Sequence, residues 1–442
     1  MFRFETILDS GQPSQSIAMP LLSQLFLLFL VIIPQVLADA ATDASRLGSF
    51  YTALDLYRGS ATNILVVGIG TPPQDVNLTV STNVDFIMVA ADSCNGCTNG
   101  AAEFLTDDSS SLTATQQALS YTTTYPAGSL DTLHLTANFA SEILTDARQD
   151  VNNERTITLI SSVQDNFGAA TGSSDIALPS GTSGFWGLGV YQVNKGYSII
   201  PSVLAVTGEG APSSATNYTV GFDIANYSSV DGSQAGTIHW GGAPTGSYEG
   251  NFNWINPNTT VAGSWGIPVN TIRVGHAVVD TSTLYGSLDP GFDAIYLPTT
   301  FAETLFAAVP GASRDLNLPC DANISMEITI SGYQYNVANA QLIQPRDQAG
   351  QTCWGAVVAW QNGSVTETLG EIRLGTPFMS DIYSVLFYSP SEQLVGIAGK
   401  PNSVNALNVN SAGGPGHANK ALARICEFLV TLQRLPLISP RQ

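Results

Sequence analysis

The sequence predicts an all-β protein built as two lobes. Three observations carry this. The chain has 442 residues, 44% hydrophobic and only 11% charged, enough for roughly two lobes with cores of their own. Gly (41) and Pro (23) are plentiful, and runs of Thr, Ser and Val lie between them, a composition of short strands and turns. Strand-like runs then recur up to residue 400, and a weak internal repeat relates residues 81–87 to residues 289–295.

Taken in order, residues 1–38 read as an N-terminal extension with a signal peptide. Residues 21–33 form an apolar run too short to span a bilayer comfortably and of the right length for a signal core. Cleavage is expected after Ala38, with Ala40 as the second choice, and the start is either Met1 or Met19. An uncleaved signal anchor is the alternative. Residues 39–50 form a short leader. Residues 51–245 are expected to make the first lobe and residues 246–400 the second, divided at the Gly- and Pro-rich segment 242–250. Within them, 64–69 reads as a strand, 71–74 as a turn and 76–89 as a second apolar strand. Further runs fall at 133–136, 155–161, 218–222, 236–240, 267–274, 326–330, 356–360 and 384–388. Residues 401–442 are a flexible tail, with helical spacing of Leu422, Ile425, Leu429 and Leu432. The tail lacks the apolar terminus of a lipid-anchor signal.

Charge narrows the partners. The formal net charge is −20, and the only lysines are Lys195, Lys400 and Lys420. Such a surface repels nucleic acid, which needs clustered cations. It suits an acidic medium, although solubility alone also explains it. Entry into the secretory route makes the sequons at Asn77, Asn217, Asn226, Asn258, Asn323 and Asn362 glycosylation candidates. The five cysteines read as two bridges, Cys94–Cys97 and Cys320–Cys353, with Cys426 left over in the tail. No βαβ pattern supports a redox role for the Cys-x-x-Cys. No His neighbours a Cys, so no zinc site, and indeed no metal or cofactor, is implied. His134, His239, His276 and His417 sit in contexts that suggest strand or surface residues.

The informative stretch is Val80-Ser81-Thr82-Asn83-Val84-Asp85. It follows Val67-Gly68-Ile69-Gly70-Thr71-Pro72-Pro73-Gln74. Its counterpart is Leu288-Asp289-Pro290-Gly291-Phe292-Asp293-Ala294-Ile295. Together with Tyr125-Pro126-Ala127-Gly128-Ser129, Ser183-Gly184-Phe185-Trp186-Gly187-Leu188-Gly189, Gly236-Thr237-Ile238-His239-Trp240-Gly241-Gly242, Trp265-Gly266-Ile267-Pro268-Val269 and Arg373-Leu374-Gly375-Thr376-Pro377-Phe378, these segments resemble the landmarks of pepsin-like aspartic proteases, in order, over about residues 51–400. The resemblance implies the bilobal pepsin-like fold with an interlobe cleft. In that family two Asp-Thr/Ser-Gly loops share one proton between two close carboxylates, which activate a water, and a flap tyrosine closes over the substrate.

Carried over residue by residue, the resemblance is incomplete. Asp289 matches the second catalytic aspartate and Gly291 its glycine. Ser81 stands where the first aspartate would be, Thr82 matches, and Asn83 replaces the glycine. Val84, Pro290 and Phe292 replace supporting hydroxyls. Tyr125 matches the flap tyrosine, with Pro126 stiffening the strand beside it. A serine does not act as general base at acid pH, so an acid–base contribution of roughly 10²–10⁴ is expected to be lost. Asp85 and Asp293 each lie four residues further on. They either brace turns or form a displaced dyad. The leading expectation is therefore a secreted, monomeric member that has lost endopeptidase activity and binds a peptide, glycan or protein in its cleft, with no membrane span once mature. The alternatives are an active acid endopeptidase built on Asp289 and an unusual partner, and a structural secreted or cell-surface glycoprotein.

Overall fold

A computed structural model describes residues 46–47, 52–59, 62–97, 100–127, 130–146, 149–165, 178–189, 218–226, 232–258, 265–312, 317–345, 352–360, 371–389, 391–405 and 410–411. All of these belong to one compact unit, Arg46–Gln442. The all-β expectation holds. Described strands form sheets of thirteen, eight and three members. The helices among them are short: Thr299–Phe306, Asn339–Leu342 and Thr376–Met379. The first was not expected. Its Ala302, Leu305 and Phe306 turn to one buried face, a pattern too brief to stand out as helical in the sequence.

The opening hairpin forms where it was expected. Asn63–Ile69 pairs antiparallel with Gln74–Ser81. Gly70 between them has φ 93°, a left-handed conformation that a side chain resists. The apolar stretch 76–89 is not one strand, however. It breaks into Gln74–Ser81 and Ile87–Asn95, because a third strand, Gly184–Gly187, runs between them. That strand pairs in parallel with the first (Val80 with Trp186, Ser81 with Gly187) and antiparallel with the second (Ile87 with Trp186). Residues 82–86 form the loop that rounds its end.

The second half repeats the arrangement. Ala277–Leu288 and Ile295–Leu297 flank Ile372–Leu374. Leu288 pairs in parallel with Leu374, and Ile295 antiparallel with the same residue. Each loop crosses over a glycine that leaves no room for a side chain. A Cβ on Gly187 would lie 2.4 Å from the carbonyl oxygens of Val84 and Phe86. One on Gly375 would lie 2.3 Å from that of Phe292 and 2.4 Å from that of Ala294. The repeat that is faint in sequence is thus a repeat of backbone crossings.

Two further findings bear on the site. The strands expected at residues 133–136 and 155–161 are much longer, and a third precedes them: Thr113–Ala127, Leu130–Asp146 and Gln149–Asp165. Their outer residues are polar and Thr-rich, which hides strand alternation in a hydropathy reading. Strand pairing also crosses residue 245, since Ile382–Tyr388 pairs with Tyr218–Ile224, and Gln393–Gly399 and Glu249–Ile255 extend the same sheet. One apolar core accordingly runs through both halves, including Val80, Phe222, Ile267, Leu374 and Ile397.

Gly375→Ala is expected to cost about 3 kcal/mol in urea unfolding, through forced displacement of the loop carbonyls. Gly246→Ala, where a Cβ would meet nothing within 4 Å, should change stability by less than about 0.5 kcal/mol. Equal costs would mean that the crossing is not tight.

Candidate active site

Ser81 and Asp289 meet. The Ser81 hydroxyl donates to Asp289 Oδ2 at 2.9 Å, although 208 residues separate them. Both are buried: Asp289 is 0% exposed and Ser81 2%. The Asn83 side-chain amide donates to the same Oδ2 at 2.5 Å and to Ser287 Oγ at 3.2 Å. The Gly291 amide donates to Oδ1 at 3.0 Å, and the Asn83 amide returns a bond to Ser81 Oγ at 3.2 Å. Each carboxyl oxygen is therefore engaged by the protein itself. Gly291 is placed so close that a Cβ would sit 2.5 Å from the Val80 carbonyl.

The loops are tied at further points. Thr82 Oγ1 donates to the Leu288 carbonyl at 2.9 Å. Pro290, opposite, has no hydroxyl with which to return that bond. Thr62 Oγ1 donates to the Gly291 carbonyl at 2.8 Å, and Asn63 donates to Thr376 Oγ1 at 3.1 Å. Thr376 in turn donates its amide to the Phe292 carbonyl at 2.8 Å. Where hydroxyls were expected, Val84 and Phe292 are both fully buried and share one apolar cluster with Phe86, Phe185 and Trp360. Phe292 and Tyr296 meet edge to face at 5.4 Å, and Tyr296 lies 4.9 Å from Trp360.

Electrostatics set the state of Asp289. Burial pushes its carboxyl above the ordinary 3.8. The Gly291 amide, the Arg373 guanidinium and the bonds from Ser81 and Asn83 oppose that rise without cancelling it. Arg373 is itself buried, pairs with Glu371 at 2.6 Å and lies over the Phe292 ring at 5.9 Å.

Asp85 and Asp293 have separate partners. Asp85 lies against Gly189, where a Cβ would be 2.0 Å from its Oδ1, and its backbone amide donates to the Tyr121 hydroxyl at 3.2 Å. Asp293 pairs with Arg58 at 3.5 Å. Tyr121 also donates to the Asn83 carbonyl at 3.1 Å and meets Phe86 edge to face at 5.2 Å. Burial holds this phenol well above the ordinary 10, so it stays protonated. The side chain of Tyr125 lies outside the described residues, as do Gly128 and Ser129. Sequence reasoning missed Tyr121, Arg373, Ser287, Thr62 and Asn63. Only Ser287 had a local signal, two residues before Asp289 and hence on the same strand face.

The remaining candidates fall as follows. The bridges Cys94–Cys97 and Cys320–Cys353 are formed, and Cys426 lies outside the described residues. Asn226 and Asn323 are exposed, and Asn258 is half-buried. Asn77, also half-buried, donates to the Gly181 carbonyl at 3.2 Å. Asn217 and Asn362 lie outside the described residues. His239 is buried in its strand against Tyr383 OH at 3.0 Å. Among the described residues no group of three or more His, Cys, Asp or Glu is arranged to hold a metal, and no helix is long and apolar enough to cross a membrane.

Comparison with known sequences follows this geometry. The sequence model of the family described as "Eukaryotic aspartyl protease" matches residues 63–400. The chain is similar to "Major aspartyl peptidase 1" of Cryptococcus neoformans var. grubii, 24% identical over 344 residues, covering 74% of this chain and 66% of that protein. It is similar to "Aspartic-type endopeptidase ctsD" of Aspergillus fumigatus, 25% identical over 174 residues, covering 38% of this chain and 35% of that one. It is also similar to "Vacuolar protease A" of Arthroderma otae, 26% identical over 350 residues, covering 75% and 76%. The first two relatives are thus spanned over less than two thirds of their length.

Two outcomes are expected. Asn83→Ala should cost about 1–3 kcal/mol in thermal unfolding, because it removes a donor to a buried carboxyl. A neutral effect would show that the amide does not matter to the fold. A folded pKa raised above the unfolded value contributes stability that is fully present below about pH 4 and is lost as pH rises through the folded pKa. Asp289→Asn should therefore flatten the decline in urea stability from pH 4 towards pH 7. An unchanged slope would mean that Asp289 does not titrate abnormally.

Proposed function

The chain belongs to the eukaryotic aspartyl protease family, and we propose that it is a secreted, glycosylated member that has lost endopeptidase activity and binds a ligand in its cleft. One observation carries this reading. The carboxyl of Asp289 faces the hydroxyl of Ser81, not a second carboxylate, and both its oxygens are taken by Ser81, Asn83 and Gly291.

Hydrolysis by a carboxyl pair needs one group to take a proton from water while the other gives one up. Ser81 can donate a hydrogen bond but is far too weak a base to accept that proton in acid. The Asn83 amide lies on the same oxygen that would otherwise hold water, and a buried carboxyl already satisfied by three donors gains little from binding another. The packing of Val84 against the cluster of Phe292 and Trp360 fits a site rebuilt for rigidity. The apolar run at 21–33, the sequons and the two bridges support export.

A second reading has its own support. The relatives carry names of peptidases and endopeptidases, and Asp289 is retained. In that reading Asp289 works with an unusual partner. Asp85 and Asp293 are poor choices for it, since each is engaged elsewhere.

The test is an acid-protease assay on secreted, folded protein from about pH 2.5 to 7, against an unfolded protein substrate, with Asp289→Asn alongside. No cleavage is expected from either. Cleavage that disappears in Asp289→Asn would overturn the proposal and establish the second reading.

A further inference from the structure

We propose that the outer edge of strand Tyr333–Val337 is an acceptor for an extended, uncharged peptide carrying an asparagine, and that its resident occupant is this chain's own segment after Lys400. The seat uses no atom of the Ser81–Asp289 contact, so it stands whether or not that centre cleaves.

Tyr333–Val337 pairs on one side with Met326–Ile330. Along its other side such a strand presents backbone N–H and C=O groups that can pair with a further segment. Lysines or a proline commonly blunt an edge of this kind, and Tyr-Gln-Tyr-Asn-Val holds neither. The strand is rigidly held. Tyr335 is fully buried, and its hydroxyl accepts from the Asn253 side-chain amide at 2.6 Å.

The chain itself covers that edge. Asn405 is fully buried. Its Oδ1 accepts from the Asn336 amide at 2.8 Å, and its Nδ2 donates to the Asn336 carbonyl at 2.8 Å. A side-chain amide thereby satisfies the edge as the backbone of a neighbouring strand would. The same Nδ2 donates to the Asp381 carbonyl at 3.2 Å. Two residues back along the edge, Gln334 pairs with Asn410 and Tyr333 with Ser411, antiparallel. The approach to Asn405 is fixed as well. Lys400 pairs with Asp223 at 2.6 Å, and Asn402 takes a left-handed φ of 62°, which asparagine tolerates. The Ser403 hydroxyl donates to the Lys400 carbonyl at 2.8 Å and accepts from the Asn405 amide at 3.1 Å.

These contacts define the occupant. Recognition runs through main-chain pairing and one asparagine side chain, which is the mode of strand addition. Residues 401–411 carry no charged side chain, and a protein of net charge −20 disfavours an acidic peptide.

The experiment is amide hydrogen exchange at Asn336, read on the full secreted chain and on a chain ending at Lys400. A synthetic peptide of residues 401–412 is then added to the shortened chain at millimolar concentration. Exchange at Asn336 is expected to speed about tenfold or more on shortening, and to slow again with the peptide. The same peptide with Asn405→Ala should restore little protection. Unchanged exchange in the shortened chain would overturn the proposal. So would exchange that the wild-type peptide does not slow, or equal protection by the two peptides. Full-length Asn405→Ala carries the same test where the shortened chain does not fold. It should speed Asn336 exchange and respond to the wild-type peptide, while Val404→Ala, at an exposed side chain, should do neither. Full-length Asn405→Ala that exchanges like the wild type would also overturn the proposal.

Discussion

The buried carboxyl of Asp289 is the point on which the two halves of this molecule agree. It takes donors from its own loop, through Gly291, and from the opposite loop, through Ser81 and Asn83. A buried polar group costs little only when its bonding capacity is met. The two loops must therefore keep their register to within a hydrogen-bond length. The crossings over Gly187 and Gly375 make that possible, because only glycine lets a strand pass so close beneath each loop. Thr82, Thr62 and Asn63 repeat the constraint at neighbouring positions.

Around this point, packing has replaced hydroxyl chemistry. Val84 and Phe292 occupy symmetric places in the two loops and share one apolar cluster. Apolar side chains here remove groups that could hold or orient water, and they bring the stabilisation of buried area instead. Arg373 beneath Phe292 supplies a positive charge that a lone carboxyl can use, and it is itself paired with Glu371. The consequence is a lone carboxyl whose two oxygens are both met by the protein's own donors. A catalytic pair, in contrast, relies on incompletely satisfied groups that exchange protons with a water.

The positions of the two loops and the two bridges were legible in the chain, the bridges from the number and spacing of the cysteines, and the meeting of Ser81 with Asp289 followed from the resemblance to the aspartic-protease landmarks. Other features were not. The break between Ser81 and Ile87 is invisible locally, since both sides are apolar; it is imposed by a strand arriving from residues 184–187. Tyr121 reads as one more aromatic in a Thr-rich strand until the fold brings it onto Asn83 and Asp85. Arg373 stands in a segment whose neighbours are apolar, and its role depends on Phe292 and Glu371 lying beside it.

By itself, then, the sequence determined the class of fold, with strands read from composition and period, and its resemblance to the aspartic-protease loops implied a carboxyl facing a hydroxyl at the centre. Only the tertiary structure decided what that centre can do. Whether Asp289 is open or enclosed depends on the Asn83 amide, the Ser81 hydroxyl and the Arg373 charge converging from distant segments. Burial and hydrogen-bond satisfaction are properties of such convergence, and no linear pattern encodes them.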